Sequence, residues 1–479
     1  MKNLYLEPTP LQGHIRIPPS KSISHRAVIC AGLAAGVSRI ENVVLSEDIA
    51  ATLEGMQATG VRIQKIQFLE EQREIENQPG IISAGNPQEV RANKGQGSAG
   101  EPENKEYQAI MAKSIETGEA LIIDIQGSST PNMVRDTIDC RESGSTLRFL
   151  LPLAARSGTE VTFLGRGKLG ERPLDIYEHL FTEQGLIFRT KGESFLPLTV
   201  QGGLKPGVFR LEGNVSSQFI SGLMFLLPLL EGDSEIIITT ELESRGYVDL
   251  TLEVLSKFGI KVANSDYRQF YIEGGQKYQH QHYRIEGDYS QAAFWIVAAI
   301  LGGRIDCWGL NPDSLQGDKA ILDIVRKMGA DIELKDGMIS IPARSTRGTV
   351  IDAGQCPDLV PVLAVLGAVS EGTTRIINAG RLRIKESDRL KAIASELNKI
   401  GARVQETQDG LWIEGVRNLQ GGTVDSWNDH RIAMALAVAA VKCLKPLIIN
   451  GYDAVKKSYP HFWQDYAQLG GKCYERSLG

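Results

Sequence analysis

Cysteine is sparse in this chain: Cys30, Cys140, Cys307, Cys356, Cys443 and Cys473 are scattered over 479 residues, and no two form a C-x-x-C pair. That excludes a disulfide-stapled scaffold and points to reduced thiols in the cytoplasm. No stretch is long and apolar enough to span a bilayer, and the first twenty residues hold no apolar run of the signal-peptide kind. An excess of positive charge is missing too. A net charge of −6 excludes bulk binding to nucleic acid or an acidic membrane, so an anion site must be a local gathering of Lys and Arg. Aromatic residues are only 6% of the chain, and the remainder, 42% hydrophobic and 23% charged, is ordinary globular composition. His280-Gln281-His282 has a metal-like spacing but no third ligand nearby, and reads as a polar loop between strands. No metal and no cofactor are expected.

Glycine, by contrast, is plentiful. The 50 glycines suggest many tight turns, and their placement exposes a repeat. Six apolar helices each run into a β-favouring strand, and Gly158, Gly232, Gly302, Gly372 and Lys445 mark that step at spacings of 74, 70, 70 and 73 residues. A second series, Gly185, Gly259, Gly329, Gly401 and Gly470, ends amphipathic helices at spacings of 74, 70, 72 and 69. Glycine is the expected residue just past a helix because it accepts the left-handed conformation there. Two features with one period imply six related α/β units, packed as two lobes of three. The first unit is longer than the others. Its extra segment, Gln64 to Ala120, has only two aromatics, Phe68 and Tyr107, and reads as mostly mobile.

Each unit's first helix is apolar but opens on polar residues: Ser20-Lys21-Ser22, Glu142-Ser143-Gly144, Ser216-Ser217-Gln218, Asp288-Tyr289-Ser290, Pro357-Asp358 and Asn428-Asp429-His430-Arg431. N-capping explains about one such residue per helix. It does not explain Lys21, Arg26, Arg148 or Arg431, cations near positive helix ends where the dipole disfavours them. A bound anion resolves that conflict. Loops entering the second helices add Arg172, Lys385, Arg389 and Lys457, with cations from both lobes expected to face one cleft. Gly165-x-Gly167-x-x-Gly170 imitates a dinucleotide fingerprint, but the other units lack it and no acidic residue ends the following strand.

These residues fall into motifs. Pro19-Ser20-Lys21-Ser22-x-Ser24-x-Arg26, Gly170-Glu171-Arg172-Pro173, Val215-Ser216-Ser217-Gln218-Phe219, Lys385-Glu386-Ser387-Asp388-Arg389 and Asn428-Asp429-His430-Arg431 resemble those of the 5-enolpyruvylshikimate-3-phosphate synthases, in family order. The resemblance spans the chain except the first-unit insert. It implies an α/β, two-lobed inside-out barrel, with residues 20–283 as one lobe and 1–19 plus 284–479 as the other. It implies transfer of the enolpyruvyl group of phosphoenolpyruvate to the 5-hydroxyl of shikimate 3-phosphate, by a monomer. By resemblance, Lys21, Ser22, Arg26, Ser216, Ser217, Gln218, Ser244, Tyr247, Asp358 and Lys385 hold shikimate 3-phosphate. Lys21, Gly144, Arg172, Gln218, Arg389, Arg431 and Lys457 hold phosphoenolpyruvate. Asp358 accepts the hydroxyl proton, while Glu386 and Lys21 serve the enol carbon.

Two other readings remain open at this level. The sister enolpyruvyl transferases that act on UDP-N-acetylglucosamine share the fold but typically carry a cysteine in the loop that is Gly167 to Pro173 here, where none occurs. A non-catalytic anion-binding repeat protein leaves Asp358 and Glu386 without a purpose. Glu142 and Arg381 stand where the family usually has Asn, so their contacts are not carried over. Glu142 is expected to turn aside and pair with Arg141, Arg148 or Lys168. Like charges are expected to face each other across the cleft and hold it open.

Overall fold

The structure is a computed structural model that describes residues 3–69, 102–156, 158–192, 194–335 and 338–476. Among these residues the strands form six four-stranded sheets of identical order. In the second unit Thr137–Asp139 runs parallel to Val161–Leu164, which pairs antiparallel with Leu198–Gln201, and that strand pairs antiparallel with Ile187–Thr190. The parallel pair requires a long crossover, and the apolar helix Gly144–Ala154 supplies it. The glycines that end the amphipathic helices, Gly60, Gly185, Gly259, Gly329, Gly401 and Gly470, all have φ between 77° and 97°. A side chain there would be strained, which is why the repeat shows in the glycines.

Helices lie inside and sheets outside. The helix Tyr289–Gly302 is buried at every position from Tyr289 to Leu301. Strand Leu121–Gly127 alternates between buried and half-buried positions, as a sheet with one wet face must. Buried apolar side chains separate into two cores. One runs from Ile23 to Ile285; the other joins Leu4 to Ile17 with Tyr289 to Leu469. The chain crosses between them at 17–20 and 285–288. These crossings lie side by side: Ser20 N donates to Glu286 O (2.8 Å) and Asp288 N to Pro18 O (2.9 Å). Strands are exchanged to make this so. Gly13–Arg16 completes the sheet of Arg304–Trp308, while His282–Arg284 completes that of Gly36–Val43.

The first-unit insert, expected to be mostly mobile, forms regular structure at both of its ends. Arg62–Phe68 is an edge strand paired with Leu121–Gly127, and Pro102–Thr117 is a helix. Met111 and Ser114 on that helix are buried, and Ser114 Oγ accepts from Leu45 N (3.3 Å). Composition averaged over the whole segment had concealed these few apolar contacts. The expectation of mobility for residues 70–101 falls outside the described residues.

Candidate active site

All six core-helix starts converge on one cleft between the two cores. Its wall holds eight cations (Lys21, Arg26, Arg148, Arg172, Arg381, Lys385, Arg389, Arg431) and four carboxylates (Asp48, Asp288, Asp358, Glu386). Ordinary capping is present as well. Ser20, Ser143, Ser216, Asp288 and Asp429 each accept a bond from a backbone N–H in their helix's first turn. Capping fixes where each helix begins; the cations beside it are additional.

Of the residues named from sequence, Lys21, Ser22, Arg26, Gly144, Arg172, Ser216, Ser217, Gln218, Ser244, Tyr247, Asp358, Lys385, Glu386, Arg389 and Arg431 all line the cleft. Lys457 is held away from it. Its Nζ donates to Glu142 Oε2 (2.7 Å) and to the Asn428 carbonyl (2.7 Å). Glu142 does turn aside to a cation, but to this one from the other core rather than to Arg141, Arg148 or Lys168. Arg141 is taken by Glu54 (2.9 Å) and Arg148 by Gln218 Oε1 (2.9 Å). The carboxylate fits because Gly167, at φ 55°, has no Cβ; one would lie 2.7 Å from Glu142 Oε2. The glycine triad thus serves packing, for a Cβ on Gly165 or Gly170 would strike Leu196 or Ser194.

Opposite charges, not like ones, meet across the cleft. Besides Glu142 and Lys457, Arg381 Nε lies 2.9 Å from Glu243, and Arg172 lies 3.7 Å from Glu386. The expectation of repulsion counted the cations of the motifs and left out the acids beside them. Arg381 also contacts the Ser244 hydroxyl and donates to Gly354 O (2.8 Å), which pins Ser244 at φ 54°. Left-handed non-glycine backbone of this sort gathers where a site dictates side-chain direction.

Arg389 is the centre of the charge network. Only 1% exposed, it is gripped by Asp429 (2.8 Å), Asp358 (2.9 Å) and Glu386 (2.7 Å). Asp358 also forms an ion pair with Arg431 (2.8 Å) and accepts from the Tyr247 hydroxyl (3.0 Å). Burial alone raises the Asp358 carboxyl, but Arg431, Arg389 and Lys385 outweigh it and hold the group below the usual carboxylate range. Glu386 follows the same logic: burial is overcome by Arg389 and Arg172, and the carboxyl stays ionised. Burial moves the cations the other way, bringing Lys385 down to about 8 and Arg148 to about 10. Arg26 is already satisfied by protein, donating to Thr251 Oγ1, Ser22 O and Tyr247 O at 2.7–2.9 Å.

Such a wall suits small molecules with several negative charges, each able to take a guanidinium from its carboxylate. A match to the sequence model described as EPSP synthase (3-phosphoshikimate 1-carboxyvinyltransferase) covers residues 6–95 and 107–466. The chain belongs to the EPSP synthase family. Among curated relatives, the 3-phosphoshikimate 1-carboxyvinyltransferases of Clostridium novyi and Clostridium kluyveri are 51% and 50% identical over 479 residues, covering all of each chain. The similarity therefore includes the first-unit insert, where the motif resemblance had stopped. An EPSP synthase structure from Acinetobacter baumannii superposes with a TM-score of 0.75 at 23% identity, covering both chains fully, and so shares the fold.

Sequence reasoning missed several residues of this family member's cleft. Asp48 binds Lys21 Nζ (2.9 Å), Asp318 lies 2.9 Å from the Tyr247 hydroxyl, and Asp429, named only as part of a helix start, orients Arg389. Asp48 lies in the first turn of a helix, where an acid is ordinary, so no local signal marked it. His280 Nδ1 lies 3.2 Å from Ala35 O, and His282 Nε2 lies 2.7 Å from Glu41.

Proposed function

We propose that the cleft transfers the enolpyruvyl group of phosphoenolpyruvate to the 5-hydroxyl of shikimate 3-phosphate, releasing phosphate. The observation that carries this reading is the pairing of cations and ionised carboxylates around Arg389, within a chain of this family. Each substrate has a carboxylate and a phosphate. Ser22, Ser216, Ser217, Ser244, Tyr247 and Lys385 face shikimate 3-phosphate in this reading, with Arg26 holding the wall. Gly144, Arg172, Gln218, Arg389 and Arg431 face phosphoenolpyruvate, and Lys457 joins them once Glu142 releases it.

The charge network explains how binding and chemistry are coupled. With Arg389 and Arg431 upon it, Asp358 is ionised but a weak base. An arriving anion that takes up those guanidinium groups restores proton affinity to Asp358, which then accepts the 5-hydroxyl proton as the oxygen bonds to the enol carbon. The methylene carbon takes its proton from the Lys21 ammonium. Glu386 has none to give while Arg389 and Arg172 hold it, and relays the proton once substrate displaces them. The product forms when the tetrahedral intermediate loses phosphate and returns a methyl proton.

The two cores correspond to lobes 20–283 and 1–19 plus 284–479, moving about the paired crossings at 17–20 and 285–288. The reading takes the enzyme as a monomer; sparse, unpaired cysteines support the cytoplasm. The test is phosphate release, which requires both substrates and survives a metal chelator. Equal release with UDP-N-acetylglucosamine as acceptor rejects the reading.

A further inference from the structure

Asp318 is buried, 4% exposed, and belongs to none of the motifs. Its Oδ2 lies 2.9 Å from the Tyr247 hydroxyl oxygen, and that oxygen lies 3.0 Å from Asp358 Oδ2. A phenol has one hydrogen. It can donate to one carboxylate; the second short contact is attractive only if the other carboxyl is protonated and donates to the phenol's lone pair. Asp358 is not that acid, since Arg389 and Arg431 grip both its oxygens. Asp318 has no cation within ion-pair distance among the described residues, and its Oδ1 is buried without a hydrogen-bond partner. An ionised carboxylate left so is costly; a neutral acid is not.

The backbone is built to make this contact. Gly246 and Gly317 come from different cores, and a Cβ on Gly246 would lie 2.7 Å from Gly317 Cα. Two glycines let the segments touch, which seats Tyr247 against Asp318. The charged and titratable groups that face Asp318 are Asp358, Arg431, Asp288 and Tyr247, with Arg381 and Cys356 within electrostatic reach. Arg431 spends its Nη2 on Asp358 (2.8 Å) and Ser290 (3.0 Å).

We propose that Asp318 is a positioning residue of the reaction: as a neutral acid it donates to the Tyr247 hydroxyl, which donates to Asp358, and this chain aims the Asp358 carboxylate without adding negative charge to the anion pocket. The proposal rests on the enolpyruvyl-transfer reading and adds to it a residue that touches no substrate. It has a pH consequence. Burial first, then Asp358 and Asp288, push the Asp318 carboxyl up to about 7, so it ionises as pH rises through neutrality. The pocket then gains a charge that repels shikimate 3-phosphate, and Tyr247 has two anions competing for one hydrogen.

The experiment compares wild type, Asp318→Asn and Asp318→Ala between about pH 6 and 9, measuring kcat and both KM values. An amide keeps a donor toward Tyr247 and cannot ionise. Asp318→Asn should stay within about threefold of wild type at the acid end, while Asp318→Ala loses ~10-fold or more in kcat/KM, on the scale of one lost buried hydrogen bond. Above neutrality the wild-type KM for shikimate 3-phosphate should climb by up to ~10-fold per pH unit, as a single ionisation demands, and that of Asp318→Asn should not. The ratio of variant to wild type cancels the substrate's own titration. An Asn variant as impaired as the Ala variant, or one with the wild-type pH profile, overturns the proposal. Infrared difference spectra give a readout independent of turnover: wild type minus Asp318→Asn at about pH 6 should leave a protonated-carboxyl C=O band, whereas the band of Asp465, raised to about 7 in both proteins, cancels. Lack of that band also overturns it. A wild type inactive with both substrates rejects the functional reading, and the band still decides the state of Asp318.

Discussion

Glu142 and Lys457 form a 2.7 Å ion pair at the edge of the cleft, and the pair holds a cation that the proposed reaction needs. Phosphoenolpyruvate must compete with Glu142 for it. Asn in place of Glu142 removes the competitor, so Glu142→Asn should lower the KM for phosphoenolpyruvate. A partly exposed pair of roughly 0.7 kcal/mol corresponds to about a threefold fall. Steady-state kinetics check this, and a large rise in that KM would show that Glu142 itself binds substrate. Asp358 gives the other test at this scale. Asp358→Asn keeps the shape but cannot accept a proton, so kcat should fall ~10²–10⁴-fold while calorimetry still detects shikimate 3-phosphate binding. Near-wild-type turnover would remove Asp358 from the mechanism.

Two helices carry predictions of their own. Asp465, on the helix Phe462–Gln468, accepts from Tyr459 Oη (2.7 Å), which in turn accepts from Trp295 Nε1 (3.0 Å). Burial pushes this carboxyl up to about 7. Because the folded value exceeds the unfolded one, the stability this group confers is complete at low pH and is lost as pH rises from the ordinary carboxylate range to about 7. The wild type should lose up to ~1.4 kcal/mol per pH unit there on account of one proton. Urea unfolding of Asp465→Asn should show a slope smaller by that amount; an unchanged slope rejects the assignment. The helix Pro102–Thr117 redraws what can be removed from the first unit. Replacing residues 64–120 deletes the strand Arg62–Phe68 in part and the buried Met111 and Ser114, and should abolish folding. Replacing only 70–101 with a short Gly/Ser link should leave folding and most activity intact, as circular dichroism and phosphate release would report. Loss of activity with folding preserved would make that segment part of the catalytic apparatus.

At the scale of the molecule, the two cores meet through pairs of opposite charge: Glu142 with Lys457, Glu243 with Arg381, Glu386 with Arg172. In the proposed reading, substrate anions compete for the same cations and bridge those of both cores at once, which would link closure to binding. Removing two of the acids, as Glu142→Gln with Glu243→Gln, should raise the radius of gyration without substrate, and shikimate 3-phosphate should lower it again. Small-angle scattering measures both. An unaltered radius in the double variant would show that these pairs do not hold the lobes together.

How much of this was legible beforehand differs by feature. The six-fold repeat was, because a helix that must stop at a left-handed residue writes glycine into the chain at a fixed interval. The helix starts and the motif residues were legible for a similar reason: each is a local demand, a cap or a cation beside one. The insert helix was misjudged, since a few buried side chains such as Met111 are diluted in a polar segment. Most partners of charge were not legible, Glu386 with Arg389 at i,i+3 being the local exception. Lys457 lies 315 residues from Glu142 and Arg389 lies 40 from Asp429, and no composition or periodicity couples positions so far apart. Sequence by itself determined the fold, the family and most of the groups in the cleft. Only the tertiary structure decided which carboxylate each cation holds, and so which groups are free, because a charge's state depends on neighbours that the chain brings together only when folded.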